Sequence, residues 1–183
     1  TIFLEFNDKT PAVSYWYELG FVDDGIDSAL RALEENNFSK VEEAIVRTVD
    51  LKKTESLMQK NYKKFPNTLD FMFFSNKYLT REQDDDYPIN MEFSKELFLY
   101  LMFQLDYDFI VLDMPSDIQH QATLNALVYS NKVFMTLTHD VSTIGYSIYK
   151  TNELSKKGIN IEKKLYYIIN QFEKADLTLK EIE

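Results

Sequence analysis

The sequence predicts an α/β fold, a three-layer αβα sandwich on a mainly parallel sheet. Three observations carry this. Five short apolar runs alternate with longer segments of helical periodicity. Several of the runs are apolar at consecutive positions, as strands covered on both faces are. Hairpin signals are scarce, because only four Gly and four Pro punctuate 183 residues. That length suits one α/β domain over 1–183. No internal repeat, low-complexity tract or linker divides it.

The predicted strands are 2–6, 69–75, 109–112, 133–137 and 165–170. Between them, Ile26, Ala29, Leu30 and Leu33 recur at helix spacing and predict a helix over 26–35. Ser39 and Glu42 have the spacing of a capping box, and Val41, Ala44, Ile45 and Val49 continue it as a second helix. The segment 91–105 is strongly apolar (Phe93, Leu97, Phe98, Leu101, Met102, Leu105), so it is expected to pack directly on the sheet. A shorter helix follows over 122–128. The helix 142–157 ends in Lys156 and Lys157 before Gly158, a cation-rich last turn with a Gly stop. Thr178 and Glu181 form a second capping box near the end of the sequence.

Composition excludes several classes. Apolar residues make up 45%, and 14 Phe, 12 Tyr and one Trp supply bulk for a core, so the chain is not intrinsically disordered. With no Cys there are no disulfides, thiolate metal sites or cysteine nucleophile, which suits a reducing, cytoplasmic setting. Two histidines, His120 and His139, make a histidine-based metal site a poor reading. The net charge of −10 opposes nonspecific binding to nucleic acid or anionic membranes. Against that mean stands a basic stretch, Lys52, Lys53, Lys60, Lys63 and Lys64, which reads as a solvated helix face or a contact patch. Glu82, Asp84, Asp85 and Asp86 read as a solvated acidic loop. No stretch approaches the roughly 20 apolar residues of a membrane span, and the first residues do not read as a signal peptide.

The sharpest chemical feature is Tyr107-Asp108-Phe109-Ile110-Val111-Leu112-Asp113-Met114-Pro115. An apolar strand here delivers one carboxylate, Asp113, to its C-terminal end, where α/β proteins place ligands. Such an acid reads either as a loop-ordering cap or as the carboxylate that holds Mg²⁺ beside nucleotide phosphates.

The context of Asp113 carries a resemblance. Asp113-Met114-Pro115, Thr123-Leu124-Asn125-Ala126-Leu127, the strand Val133-Phe134-Met135-Thr136-Leu137, and Asp140-Val141-Ser142 before a long helix are similar to the MinD/ParA group of P-loop ATPases. Within that group the chain looks most like the CpaE/TadZ branch associated with pilus assembly. Further matches are Phe3-Leu4-Glu5-Phe6-Asn7, the stretch from Leu19 and Gly20 through Asp27, Ala29 and Leu30, and Leu165-Tyr166-Tyr167-Ile168-Ile169-Asn170-Gln171-Phe172. The resemblance covers nearly the whole chain, with most weight on Tyr107 to Asn125.

It implies a P-loop NTPase-like fold that binds ATP and Mg²⁺. Asp113 would hold the metal, Asn170 would recognise the base, and Pro115 and Gln171 would also lie in the nucleotide site. Glu5 and Asn7 occupy the positions that help coordinate metal and attacking water. The departures are as informative. Glu5 stands where the family has Asp, and one extra methylene displaces the carboxylate by about 1–1.5 Å, enough to slow hydrolysis severely. No G-x-x-x-x-G-K-[ST] occurs, since Gly20, Gly25, Gly145 and Gly158 are isolated. Without it there are no clustered N–H donors for phosphate. The sequence is therefore expected to be an interior piece of a longer domain, without its first βα unit and last strand. The alternative is a chain that has lost its phosphate loop.

For Asn170 an ordinary turn-ordering role stays open beside base recognition. His139 with Asp140, and His120, read as structural residues, because adjacent side chains on an extended segment point apart. The expected function is an ATP-binding positioning or pilus-assembly protein in which nucleotide controls homodimerisation and recruits pilus or secretion machinery. Slow or absent turnover is expected. A degenerate scaffold of the same fold is the alternative, and a DNA-partitioning ATPase is disfavoured by the net charge.

Overall fold

A computed structural model describes residues 1–16, 22–51, 65–81, 89–138 and 140–170. The chain forms two compact units, Thr1–Ala126 and Leu127–Glu183. Among the described residues no helix is long and apolar enough to cross a membrane.

The first unit is built on β1 (Ile2–Glu5), followed by α1 (Ala12–Trp16), α2 (Ile26–Glu34) and α3 (Phe38–Glu43). Then come β2 (Val46–Arg47), α4 (Thr48–Leu51), β3 (Asp70–Met72) and α5 (Asn76–Leu79). A 3₁₀ turn (Met91–Phe93) leads into α6 (Ser94–Phe103), then β4 (Ile110–Asp113) and α7 (Gln121–Tyr129), whose residues from Leu127 onward belong to the second unit. The sheet order is β2-β3-β1-β4. β1 pairs in parallel with β3 and β4, and β2 pairs antiparallel with β3. The expected α/β class with a mainly parallel sheet is what forms.

The central position of β1 explains its unbroken apolar run. Ile2 and Leu4 face one apolar cluster with Met72, Ile110 and Leu112, whereas Phe3 faces the other with Phe71 and Phe73. The first cluster is roofed by α2, α3 and α6. Phe6 packs edge-on against Phe74 at 6.0 Å and Phe98 at 5.6 Å. Each such ring removed from water contributes roughly 1.5–3 kcal/mol. The second cluster is closed by Val13 of α1 and by Val46, Leu51, Phe65 and Leu69.

Three expectations need correction. The helix predicted through Val49 ends at Glu43, and the chain then forms β2, with Val46 opposite Phe71. Pairing with the sheet outweighs helical spacing that was apolar only in part. The capping box does not form either: Ser39 donates its hydroxyl to Asn37 Oδ1 (2.9 Å), and Asn37 is the N-cap. The expected strand over 69–75 keeps only its middle in the ladder. Phe73 instead accepts a hydrogen bond from the Ile26 N–H at 2.7 Å, so the end of the run serves the start of α2.

The second unit holds β5 (Val133–Thr138), α8 (Val141–Lys156), a 3₁₀ turn (Glu162–Lys164) and β6 (Leu165–Asn170). β5 and β6 pair in parallel from Val133↔Leu165 to Thr138↔Asn170. The predicted Gly stop of α8 is a Schellman motif. Gly158 adopts φ 82°, its N–H bonds the Ser155 carbonyl at 3.0 Å, and the Ile159 N–H bonds the Leu154 carbonyl at 3.0 Å. Lys164 Nζ donates to the carbonyls of Val128 and Ser130, both at 2.9 Å, and fixes the approach to β6.

Candidate functional site

β1 and β4 end side by side. Glu5 and Asp113 are register partners, and the Phe6 N–H donates to the Asp113 carbonyl at 2.8 Å, carrying the pairing one residue further. The chain leaves β1 for β2 and β3 on one flank and returns to β4 on the other. Strand order therefore reverses across this pair, and a crevice outside the carboxyl ends is the standard ligand position of such a sheet.

The two carboxylates have opposite surroundings. Glu5 is 2% exposed. Its Oε1 accepts the Val13 N–H at 2.6 Å and its Oε2 accepts the Ser14 N–H at 3.0 Å. These belong to the first turn of α1, whose N–H groups have no partner inside the helix. Glu5 therefore caps α1 from the neighbouring strand. Asn7 is also used locally, its Oδ1 accepting from the Thr10 N–H at 3.3 Å and the Thr10 hydroxyl at 3.1 Å. Asp113 is half-buried, and among the described residues no side chain or N–H bonds its carboxylate. Burial, and then the charge of Glu5, push its pKa above the usual carboxylate value.

A second group stands at the carboxyl end of β3. Asp27 is fully buried, and its two oxygens accept the N–H and the hydroxyl of Ser75, both at 2.7 Å. Ser75 Oγ in turn caps α5 by accepting the Tyr78 N–H at 3.2 Å. The Tyr78 phenol donates to Asp8 Oδ2 at 3.1 Å, and Arg81 lies over the Tyr78 ring and 3.9 Å from Asp8. Burial, then the Asp8 charge, push the Tyr78 pKa up to about 12, so the phenol stays a proton donor at any physiological pH. Neither these roles nor the capping of α1 by Glu5 was read from the sequence. The signals were Pro11 just before α1, a favoured helix-start residue, and Ser75 directly after an apolar run, the mark of an N-cap.

The remaining candidates are placed as follows. The Pro115 carbonyl lies 3.5 Å from the Thr123 hydroxyl, which ties the loop after β4 to α7. Asn125 donates through Nδ2 to the Glu92 carbonyl at 3.3 Å and to Ser94 Oγ at 2.9 Å, joining α7 to the start of α6. Asn170 ends β6 in the second unit, opposite Thr138. Asp140 is the N-cap of α8 and accepts the Thr143 N–H at 2.8 Å. The hydroxyls of Ser142, Thr138 and Thr143 hold its carboxyl far below the usual range. His120 has Nδ1 buried with no partner among the described residues. Gln171, His139, Leu19, Gly20, the capping pair Thr178 and Glu181, the lysines from Lys52 to Lys64 and the acids from Glu82 to Asp86 lie outside the described residues. Among the described residues no three His, Cys, Asp or Glu converge on a metal position.

No family model matches the chain, and no curated protein does. Among solved structures it is similar to a plasmid partition protein from Borrelia burgdorferi. The two share 17% identity at a TM-score of 0.56, over 96% of this chain and 67% of that one. The likeness is one of fold. It agrees with the α/β class and mainly parallel sheet of this chain.

Proposed function

We propose that this chain serves an ATP-binding positioning protein of the MinD/ParA kind, with Mg²⁺ and the nucleotide phosphates at the carboxyl ends of β1 and β4. One observation carries the reading: Asp113 is a half-buried carboxylate beside Glu5, disfavoured as an anion, with no cationic partner among the described residues. A divalent cation supplies the missing countercharge, and Mg²⁺ is commonly held by one or two carboxylates plus substrate phosphates. Asp113 is the residue here that fits this role. Glu5 fits it poorly, since both its oxygens are engaged by α1. Hydrolysis is therefore slow or absent, and nucleotide works as a switch for homodimerisation and partner recruitment. Asn170 and Gln171 would meet the base, and Pro115 would shape the loop beside the metal. The sequence has no Gly-rich loop with Lys, and none of its residues is assigned to the phosphates.

The matched structure is named a plasmid partition protein, which favours cargo partition over the pilus-assembly branch. The net charge of −10 favours a protein partner over direct contact with DNA. The lack of Cys suits work in the cytoplasm. A scaffold that never turns nucleotide over is the second reading, favoured by the engagement of Glu5.

Isothermal titration with ATP·Mg²⁺ tests the proposal. The intact protein is expected to bind with Kd in the range of about 1–100 µM, and its Asp113→Ala variant to lose at least about tenfold in the presence of Mg²⁺. No binding by the intact protein, or equal binding by both, overturns it. Phosphate release then separates a slow ATPase from the scaffold.

A further inference from the structure

Helix α1 is held in place by a residue of another element. Its five residues are too few to persist as a helix in water, and none in its first turn is acidic. Pro11, directly before it, has no side-chain oxygen to cap it. The cap is Glu5 of β1, whose two oxygens accept the Val13 and Ser14 N–H groups at 2.6 and 3.0 Å. Beyond that, Val13 packs against Phe71 and Phe73, while Tyr15 is exposed. So few anchors make α1 an element of low local stability. The grip of Glu5 depends on its charge, because bonds to an ionised acceptor are roughly twice as strong as neutral ones. Asp113 is its register partner on the adjoining strand, about 4.8 Å away. Glu5 is buried, so water screens the pair little. The effect is mutual: the same charge that caps α1 disfavours the anion of Asp113.

We infer that the charge at Asp113 sets how firmly α1 is docked, with Glu5 as the positioning residue between them. An anionic Asp113 repels the Glu5 carboxylate and loosens its hold on the two N–H groups. With a divalent cation at Asp113 the local charge is no longer negative, and Glu5 grips α1 more tightly. Glu5 does not move to the cation, because both its bonds to α1 would then be lost. By linkage, docking of α1 strengthens the cation site by the same factor. α1 is thus the element that responds when the crevice fills. The inference rests on the nucleotide reading only for the identity of the cation. The link from Asp113 to α1 rests on the strand register and the Glu5 hydrogen bonds.

Hydrogen–deuterium exchange of the intact protein in EDTA reads the Val13 and Ser14 amides directly. Asp113→Asn keeps the shape of the side chain and removes its charge. It should slow exchange at both amides at least about threefold, and by more than at the Ala29 amide of α2. Glu5→Gln keeps one acceptor oxygen and no charge, so exchange should quicken. In that background Asp113→Asn should change neither amide, which a merely structural Glu5 would not produce. In the wild type, Mg²⁺ at about 10 mM should slow the same two amides, with no effect in Asp113→Asn. The inference is overturned if Asp113→Asn leaves Val13 and Ser14 unchanged in EDTA, slows Ala29 equally, or still slows them beside Glu5→Gln. Slowing by Asp113→Asn with no effect of Mg²⁺ supports the inference and counts against the Mg²⁺ reading, so the two failures are told apart.

Discussion

Helices α2 and α8 both accompany a parallel sheet, yet they bury opposite surfaces. α2 hides Ile26, Ala29, Leu30, Ala32 and Leu33, and its start is locked to β3 by backbone and carboxylate bonds. α8 hides hydroxyls and leaves Val141, Tyr146, Ile148 and Tyr149 in water. Their glycines differ in the same way. A Cβ on Gly25 would stand 2.3 Å from the Phe73 carbonyl oxygen and 2.4 Å from the Ser75 nitrogen, whereas Gly145 faces open space. A helix whose apolar face is matched within its own unit tolerates no addition at its seam. One whose apolar face is unmatched among the described residues has room to spare.

The largest expected effect comes from closing the α2 seam. Gly25→Ala forces backbone apart at the Ile26–Phe73 bond, and neither contacting group is a flexible side-chain end. A loss of about 3 kcal/mol or more is expected in urea denaturation, at the upper end for overpacking. A loss under about 1 kcal/mol would show that the 22–27 segment is free to shift.

Asp27→Ala attacks the same seam through its hydrogen bonds. It leaves the buried Ser75 N–H and hydroxyl without their acceptor, at a cost of roughly 2–3 kcal/mol. Asp27→Asn retains one acceptor oxygen and should recover about half. Equal losses from both variants would place the effect in the charge of Asp27 and not in its bonds to Ser75.

How much of this contrast the sequence revealed depends on the range of the interactions. β1, β5 and β6 were legible because each is an apolar run long enough to stand out, and β6 begins and ends where the run does. β2 was not, since two residues carry no periodicity and only their pairing with Asp70 and Phe71 of β3 makes them a strand. Asp113 could be read at the end of its strand, because one buried run fixes where its last residue emerges. The capping of α1 by Glu5 could not. It depends on the register of β1 against a five-residue helix whose sole local marker is Pro11. The exposed face of α8 was hidden for another reason: the pattern shows which residues share a face, not which face meets the sheet.

Gly145→Ala should reverse the sign seen at Gly25. It introduces no contact within 4 Å and replaces the weakest ordinary helix former with the strongest. A gain of about 0.5–1 kcal/mol is expected in the monomer at low concentration, read from thermal melts. A destabilised monomer would mean that the open side of α8 is covered within the chain, and the comparison with α2 would fail.

The smallest effect tests the exception inside the well-matched first unit. Asp113 is its one crevice carboxylate left without a donor among the described residues, and its folded pKa lies above the unfolded value because of burial and then Glu5. The folded state therefore holds the proton more tightly than the unfolded chain does. Its stability is highest below the unfolded carboxylate pKa and falls as pH rises through the folded pKa, after which it levels off. Asp113→Asn removes this penalty. Relative to wild type it should melt a little higher at pH 7, with the difference shrinking as pH falls through the folded-state value. Parallel melts from pH 3 to pH 7 check this, a window set by the upward direction of the shift. If the two proteins melt together throughout, the carboxylate is already neutralised by a group outside the described residues. If the variant melts lower at neutral pH, Asp113 is a bonded acceptor like Glu5. Either result removes the free countercharge site on which the Mg²⁺ reading rests.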